Sequence, residues 1–172
     1  MTGPLFVDAN VLLYAQDQDD ALKRSRARAW LDHLWRAGLG RTSMQVLSEC
    51  YVNLKRKAYS GLTPEAAWES VAMYLAWKPR VIDEELFARA RQVEQRHRIS
   101  WWDSLIVAAA QLQECEILLT EDLQDRGRYG TVTVRSPFTL AVEQPPAAYE
   151  VRPVLASLHR PRGRPRRAAL AA

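Results

Sequence analysis

Cysteine is scarce in this sequence, which has only Cys50 and Cys115 among 172 residues. So few thiols exclude a disulfide-stapled scaffold and a zinc site built from cysteines. The sequence also lacks any run of 18 apolar residues, so no membrane-spanning helix is expected. The first four residues carry no basic side chain, and a secretory signal is therefore not predicted. Together these absences predict a protein of the reducing cytoplasm.

Positive charge is concentrated towards the end of the sequence. The whole chain has a formal charge of +4. Residues 150–172 contain six arginines and one glutamate, a net +5, so residues 1–149 carry −1. Five of the nine prolines also follow residue 144. Arginine and proline with few apolar side chains are typical of disordered chain. We therefore predict a folded domain over residues 1–142 and a disordered, basic Pro/Arg-rich tail over residues 143–172.

Three short stretches have the pattern of β-strands. Leu5-Phe6-Val7 and Ile117-Leu118-Leu119 are continuous apolar runs, which is typical of strands buried on both faces. Residues 131–134 alternate threonine and valine, which predicts a half-buried strand at an edge of the sheet. Helical patterns separate most of these strands. The predicted fold class is therefore α/β, with a short, mainly parallel sheet flanked by helices.

Five helices are predicted from apolar spacing and from capping residues. They cover about residues 20–37, 43–57, 64–77, 84–96 and 101–113. Thr42-Ser43-Met44-Gln45 fits a capping box that opens the second helix, and Ser100 with Asp103 fits another that opens the fifth. The fifth helix is apolar nearly all round, which predicts that it is buried against the sheet.

Several acids are predicted to meet at one edge of the sheet. Asp8 follows the first apolar strand and Glu121-Asp122 follows the second, and ligands bind at the carboxyl ends of strands in open α/β sheets. Asp103 begins the buried helix. Glu49 lies about 130° from the centre of its helix's apolar stripe, so it can reach the rim of the same crevice. Converging carboxylates suit Mg²⁺ or Mn²⁺, which can activate water at a phosphate.

Each acid also has a purely structural explanation. Asp8 can simply end a strand, Glu49 can lie on a solvated helix face, and Asp103 can serve only its capping box. Asp122 and Asp125 can be turn residues. No single acid decides between these alternatives, and the metal-site hypothesis depends on the set.

Four motifs resemble those of PIN-domain nucleases. They are Phe6-Val7-Asp8-Ala9-Asn10 with the apolar residues that follow, Ser48-Glu49, Trp101-Trp102-Asp103-Ser104, and Leu119-Thr120-Glu121-Asp122. Pro137-Phe138 after the last strand is also usual in that family. Order, spacing and local pattern agree over residues 4–138. The size is similar to that of VapC-type toxins of toxin–antitoxin pairs.

The resemblance implies a three-layer PIN-like fold and a Mg²⁺- or Mn²⁺-dependent endoribonuclease. The residues implied to hold the metal are Asp8, Glu49, Asp103 and Asp122. Those implied to support them are Asn10 and Thr120, by hydrogen bonding, and Glu121 or Asp125, as a weaker ligand. Metal-activated water would attack an RNA phosphodiester. A homodimer and a cognate antitoxin, held in a groove between the early helices near the acids, are the implied protein partners.

Three rival interpretations share parts of this pattern. A non-catalytic PIN module that binds RNA or a partner protein would be signalled by a missing acid, and all four are present. A receiver or haloacid-dehalogenase domain also places aspartates at strand ends, but it needs a later lysine and residues 100–138 contain none. A PIN nuclease that processes other RNA, or one that cuts DNA, stays open. His33 and His97 lie on charged helices and His159 in the tail, so no histidine is predicted to act as a base.

The last thirty residues are not explained by the resemblance, because such toxins usually end soon after the last strand. Residues 163–167, Gly-Arg-Pro-Arg-Arg, resemble an AT-hook core that binds the DNA minor groove. A solvated disordered tail is the simpler interpretation. Attraction to RNA phosphates independent of sequence is a third.

Overall fold

A five-stranded sheet forms the centre of the computed structural model, which describes residues 3–56 and 62–142. The strands are β1 (Leu5–Val7), β2 (Gly40–Arg41), β3 (Ile117–Leu119), β4 (Arg128–Tyr129) and β5 (Val132–Arg135). Their order is β2-β1-β3-β5-β4, and all neighbours are parallel except β4 and β5. The predicted α/β class with a short, mainly parallel sheet is confirmed.

Six α-helices belong to the described part of the chain. They are α1 (Ala9–Tyr14), α2 (Ala21–Ala37), α3 (Met44–Leu54), α4 (Pro64–Ala72), α5 (Glu84–His97) and α6 (Trp101–Leu112). A 3₁₀ helix, Met73–Trp77, continues α4. The side chains of Asp20, Thr63, Asp83 and Ser100 accept hydrogen bonds from helix N–H groups at four of the N-termini. These caps explain why the predicted starts of α2, α4, α5 and α6 agree with the structure.

The core lies between the sheet and its helices. Phe6, Val7, Leu118 and Leu119 are completely buried, as continuous apolar strands in a parallel sheet should be. Residues 104–110 of α6 are all buried, which confirms the prediction that this helix packs inside the fold. No helix within residues 3–56 and 62–142 is long and apolar enough to cross a membrane.

The structure corrects four details of the sequence analysis. β5 is not an edge strand, because β4 pairs with it through a tight turn in which Gly130 has a positive φ of 66°. The N-cap of α3 is Ser43, whereas Thr42 is buried and donates its hydroxyl hydrogen to the carbonyl of Val7 at 3.1 Å. α3 ends at Leu54, three residues before the predicted end, and α4 becomes a 3₁₀ helix after Ala72.

Three elements were not predicted. α1 is only six residues long, and β2 and β4 have two residues each, too short for a periodic pattern to show. The predicted disordered tail, residues 143–172, lies outside the described residues, so the boundary near residue 142 stays a prediction.

Candidate active site

The pairing of β1 with β3 brings Asp8 and Thr120 together. The two strands are parallel with Val7 opposite Leu119, so the next residue of each strand emerges at the same edge. The Asp8 N–H donates to the carbonyl of Leu119 at 3.1 Å, which fixes this register. The Thr120 hydroxyl donates to Asp8 Oδ2 at 2.7 Å. Both side chains are buried, with Asp8 4% and Thr120 1% exposed.

Asn10 connects this pair to Asp122. It lies in the first turn of α1, which Asp8 caps by accepting the Ala9 N–H at 2.7 Å. The Asn10 Nδ2 group donates to Thr120 Oγ1 at 2.9 Å and to Asp122 Oδ2 at 3.1 Å. The Asp122 N–H also donates to Thr120 Oγ1, at 3.1 Å. The Thr120 hydroxyl therefore makes one donated and two accepted hydrogen bonds, the full capacity of a hydroxyl.

Glu49 and Asp103 reach the same edge from α3 and α6. Ser100 caps α6 by accepting the Asp103 N–H at 3.1 Å, and its hydroxyl donates to Asp103 Oδ2 at 2.7 Å. The predicted capping box is therefore present, in a form that closes through the two side chains. The Gln45 amide donates to the carbonyl of Trp102 at 3.3 Å and holds the start of α3 beside the start of α6. Glu49, one turn further along α3, is exposed to solvent.

The four acids influence one another electrostatically. Burial raises the pKa of Asp8 to about 7; hydrogen bonds from Thr120 and Ala9 oppose the rise, and the charges of Asp122 and Glu49 add to it. Although Glu49 as a residue is exposed, partial desolvation of its carboxylate, then the charges of Asp122 and Asp103, raise its pKa. None of the four forms an ion pair with a residue of the described chain. We call the region formed by Asp8, Glu49, Asp103 and Asp122 the acidic cleft.

Glu121 forms its described ion pair with Lys23. Lys23 Nζ lies 2.7 Å from Glu121 Oε2 and 3.1 Å from the hydroxyl of Tyr14, and it sits 4.3 Å from the centre of the Tyr14 ring. The hydrogen bond to Glu121 raises the pKa of Lys23 above its ordinary value, although partial burial opposes this. Sequence reasoning missed Lys23 as a neighbour of the site, since its partner is 98 residues away and no local signal marks the pair.

Asp125 also has its contacts elsewhere. Its Oδ1 accepts the Ser136 N–H at 2.9 Å and lies 3.4 Å from Nε of Arg135, so it holds the end of β5. The backbone hydrogen bond from Ser136, with the charge of Arg135 beside it, lowers the pKa of Asp125. The structure therefore places Asp8, Asn10, Thr120, Asp122, Glu49 and Asp103 together, and it gives Glu121 and Asp125 other partners.

The donor chemistry of the cleft suits a hard divalent cation. All its ligand atoms are oxygens, and Asn10 Oδ1 is buried without a hydrogen-bond partner in the described structure. Within the described residues, however, no three acidic, histidine or cysteine side chains form a ready-made metal-binding group. Mg²⁺ commonly binds through one or two carboxylates and keeps several waters, so the Asp8–Asp122 side of the cleft fits a hydrated ion better than a closed cage.

Comparison with known proteins decides the family. The family model for the PIN domain matches residues 5–124, which include all four acids of the cleft. The chain belongs to the PIN-domain family. The predicted family is thereby confirmed, and the α/β fold described above is a PIN fold.

Solved structures show the same fold. VapC20 of Mycobacterium tuberculosis, a toxin that cleaves the sarcin-ricin loop, is 22% identical over 69% of this chain and 89% of its own, with a TM-score of 0.52. A toxin–antitoxin complex from Klebsiella pneumoniae is 20% identical over 78% of this chain and 98% of that one, with a TM-score of 0.51. DNA-bound VapBC from Salmonella typhimurium is 14% identical over 78% and 98%, with a TM-score of 0.55. No curated protein sequence matches this PIN domain.

Proposed function

We propose that this PIN domain is a metal-dependent endoribonuclease and the toxin of a toxin–antitoxin pair. The observation that supports it best is the hydrogen-bonded set of Asp8, Thr120, Asn10 and Asp122 at the carboxyl ends of β1 and β3. This set shares a cleft with Glu49 and Asp103. No lysine, arginine or histidine side chain of the described residues forms an ion pair with any of the four acids. An uncompensated group of carboxylates is costly unless a cation binds there during function.

The residues of the cleft have distinct tasks in this proposal. Asp8 and Asp122 hold Mg²⁺ or Mn²⁺, and Glu49 and Asp103 add negative charge from the other side. When bound, the metal supplies activated water and stabilises the developing charge on a phosphodiester. Thr120 and Asn10 fix the positions of the two aspartates through their hydrogen bonds.

Histidine plays no part in this proposal. His33 lies edge-on to Trp30, with ring centres 6.1 Å apart, and His97 packs against Tyr129 at 5.0 Å. Neither has a described hydrogen bond to the cleft, and His159 lies outside the described residues. Proton transfer to a histidine is therefore not needed to explain how this arrangement would cut RNA.

The direct test is cleavage of RNA by the purified chain with Mg²⁺, with Mn²⁺ and with excess EDTA. We expect cleavage with metal only, and none from Asp8→Asn at any metal concentration. Cleavage that persists in EDTA would contradict the proposal. In a bacterial host, expression of the wild type should slow growth and Asp8→Asn should relieve this, whereas equal toxicity of both proteins argues against a nuclease toxin.

The proposed partners are a cognate antitoxin and a second copy of the chain, in the cytoplasm. Support comes from the similarity to solved toxin–antitoxin complexes. A short reading frame directly upstream that encodes a small DNA-binding protein would favour the antitoxin, and co-purification of the two products tests it. Sedimentation of the purified chain tests the dimer.

A second candidate is a PIN module that binds RNA without cutting it. The absence of a ready-made three-ligand group among the described residues favours it. RNA binding that is unchanged by Asp8→Asn, with no cleavage in Mg²⁺ or Mn²⁺, would identify this function.

A further inference from the structure

A basic cavity lies between α5, the end of α6 and the turn that joins β4 to β5. It has a volume of about 290 Å³. Its polar lining consists of Arg89, Gln92, Arg96 and His97 from α5, Gln111 from α6 and Thr131 from the turn. Among the described residues, no acid lines it. We call this space the α5 cavity.

The α5 cavity and the acidic cleft lie at opposite ends of α6. Asp103 is in the first turn of this helix, whereas Gln111 is in its last turn. The eight-residue step between them corresponds to about 12 Å along the helix axis. The four acids of the cleft do not line the α5 cavity, which is therefore a site distinct from the cleft.

Arg89 and Arg96 line the cavity from two positions on α5. They are seven residues apart, which places them about 20° apart around the helix and about 10.5 Å apart along it. Val93, only 4% exposed, lies between them in sequence and lines the same cavity. Both arginines are exposed to solvent. Two guanidinium groups are therefore available to one space above an apolar residue.

Neither guanidinium group has an anionic partner in residues 3–56 or 62–142. Two acids of α5 lie within four residues of these arginines, and both are paired elsewhere. Glu85 pairs with Arg80, and Glu94 pairs with Arg91. Like charges that share one space repel each other, and an anion between them is attracted by both. The two charges of the α5 cavity are therefore free to bind an external anion.

The helix dipole accounts for only part of this positive charge. Arg96 and His97 lie in the last turn of α5, where the dipole favours cations. Arg89 lies in the middle of the helix, and the effect of the dipole falls off within the last turn. Stabilisation of the helix end therefore does not explain why Arg89 lines the same cavity.

The facing wall of the cavity is fixed by contacts between the two helices and the turn. Gln111 Nε2 donates to the carbonyl of Tyr129 at 2.8 Å, and the Tyr129 ring packs against His97 with ring centres 5.0 Å apart. Gly130 permits this close approach, because a Cβ there would lie 2.9 Å from Gln111 Nε2. The imidazole of His97, the amide of Gln111 and the hydroxyl of Thr131 are all groups that can donate hydrogen bonds.

We propose that the α5 cavity binds a phosphate group carried by a nucleotide, either free or within an RNA chain. Guanidinium groups hold phosphate oxygens through charge-assisted, often bidentate hydrogen bonds. The remaining donors of the wall add to these, and no described carboxylate repels the anion. Val93 and Leu112 add apolar surface, which suits a phosphate attached to an organic group. The site itself does not depend on any nuclease activity.

Calorimetric titration of the full chain in EDTA tests the site. The probes are adenosine 5′-monophosphate, adenosine as the uncharged control, and a short single-stranded RNA. We expect saturable binding of the monophosphate and none of adenosine. R89Q/R96Q should weaken that binding by at least about tenfold, because it removes the charge-assisted hydrogen bonds.

The matched control is R36Q/R91Q. It removes the same charge from two exposed surface pairs outside the cavity, Arg36 with Asp32 and Arg91 with Glu94, and should bind as the wild type does. R89K/R96K keeps the charge but lacks the planar donor fork, and its affinity should fall several-fold. Wild-type affinity in the lysine variant, or an equal loss in R36Q/R91Q, would show general attraction to a basic surface and would overturn the proposal.

The two phosphate-bearing probes separate the two sources of phosphate. Monophosphate binding lost in R89Q/R96Q, with RNA binding unchanged, identifies a free nucleotide as the ligand. Weaker RNA binding in R89Q/R96Q with a smaller salt dependence identifies the RNA chain. Unchanged binding of both probes overturns the proposal. All these measurements are made without metal or cleavage, so the outcome is separate from that of the nuclease test.

Discussion

The Thr120 hydroxyl donates a 2.7 Å hydrogen bond to Asp8 and so joins the ends of two strands that are 112 residues apart in sequence. The same oxygen accepts hydrogen bonds from Asn10 and from the Asp122 backbone. Thr120 is thus a positioning residue: one hydroxyl sets the relative placement of both aspartates that are proposed to hold the metal.

Thr120→Val should weaken metal binding without changing the shape of the core. Because the Thr120 hydrogen bond lowers the pKa of Asp8, its loss should raise that pKa further, and Mg²⁺ affinity at pH 7 should fall. Unsatisfied partners should cost about 1–3 kcal/mol of unfolding free energy. Thr120→Ser keeps the hydroxyl, so its Mg²⁺ affinity and its unfolding free energy should both be close to those of the wild type. Calorimetric titration with Mg²⁺ across pH 6–8 measures the effect, and identical pH profiles for the valine and serine variants would contradict it.

The stability of the metal-free protein should depend on the charge of Asp8. Burial raises the folded pKa of Asp8 from 3.8 to about 7, so the folded state binds more protons than the unfolded state between these values. Unfolding free energy is therefore lost as pH rises through this window. A shift of about three units corresponds to roughly 4 kcal/mol. Asp8→Asn cannot ionise and should be spared this loss.

Urea unfolding in EDTA at pH 4 and pH 7 measures that difference. The two proteins should be similarly stable at pH 4, and Asp8→Asn should be the more stable at pH 7. Mg²⁺ should narrow the difference, since only the wild type gains from binding, by about 2.7 kcal/mol at a hundred times the dissociation constant. If the difference in unfolding free energy between wild type and Asp8→Asn is the same at pH 4 and pH 7, Asp8 is not buried as described.

Asp122→Asn and Glu121→Gln should differ sharply although they are adjacent. Asp122→Asn removes a charge that contributes to the raised pKa of Asp8, so the melting temperature in EDTA should rise modestly and the response to Mg²⁺ should be lost. Glu121→Gln leaves the cleft intact and weakens only the partly exposed pair with Lys23. It should keep the Mg²⁺ response. If Glu121→Gln loses the response to Mg²⁺ and Asp122→Asn keeps it, the ligand is Glu121.

Gly40→Ala should destabilise the fold at a site remote from the chemistry. A Cβ at this position would clash with the ring of Trp77, which itself contacts the rings of Trp35 and Tyr74. Overpacking of this kind costs about 1–3 kcal/mol. Gly3→Ala is the matched control, because its Cβ would meet only the Glu116 side chain at 3.5 Å. Urea midpoints at unchanged m-value compare them, and equal midpoints would mean that Trp77 moves aside freely.

Most of this fold could be predicted from features local in sequence, and the elements that depend on contacts between distant residues were missed. Four helix starts could be predicted because a capping side chain lies within three residues of the N–H group it accepts from. β2 and β4 escaped prediction because two residues carry no periodicity, and each forms only by pairing with a longer strand. β5 was wrongly placed at an edge for the same reason.

The acidic cleft shows the same division. Each acid could be proposed from its local motif, and the side of the sheet followed from the rule for parallel strands. The partners of Glu121 and Asp125 could not be predicted from the sequence, because only the folded chain brings Lys23 to Glu121 and Ser136 to Asp125. Which of two neighbouring acids faces the cleft is decided by those contacts.

Because the acidic cleft is assembled from residues 8, 49, 103 and 122, it has an order of appearance during protein synthesis. The ribosome releases the N-terminal part of a chain first, and β1 must wait for β3 before Thr120 can reach Asp8. A chain interrupted by a premature stop codon or clipped by a protease before β3 therefore lacks both Thr120 and Asp122. Such a fragment cannot assemble the cleft, so incomplete translation products of this gene are expected to lack the ribonuclease activity proposed above.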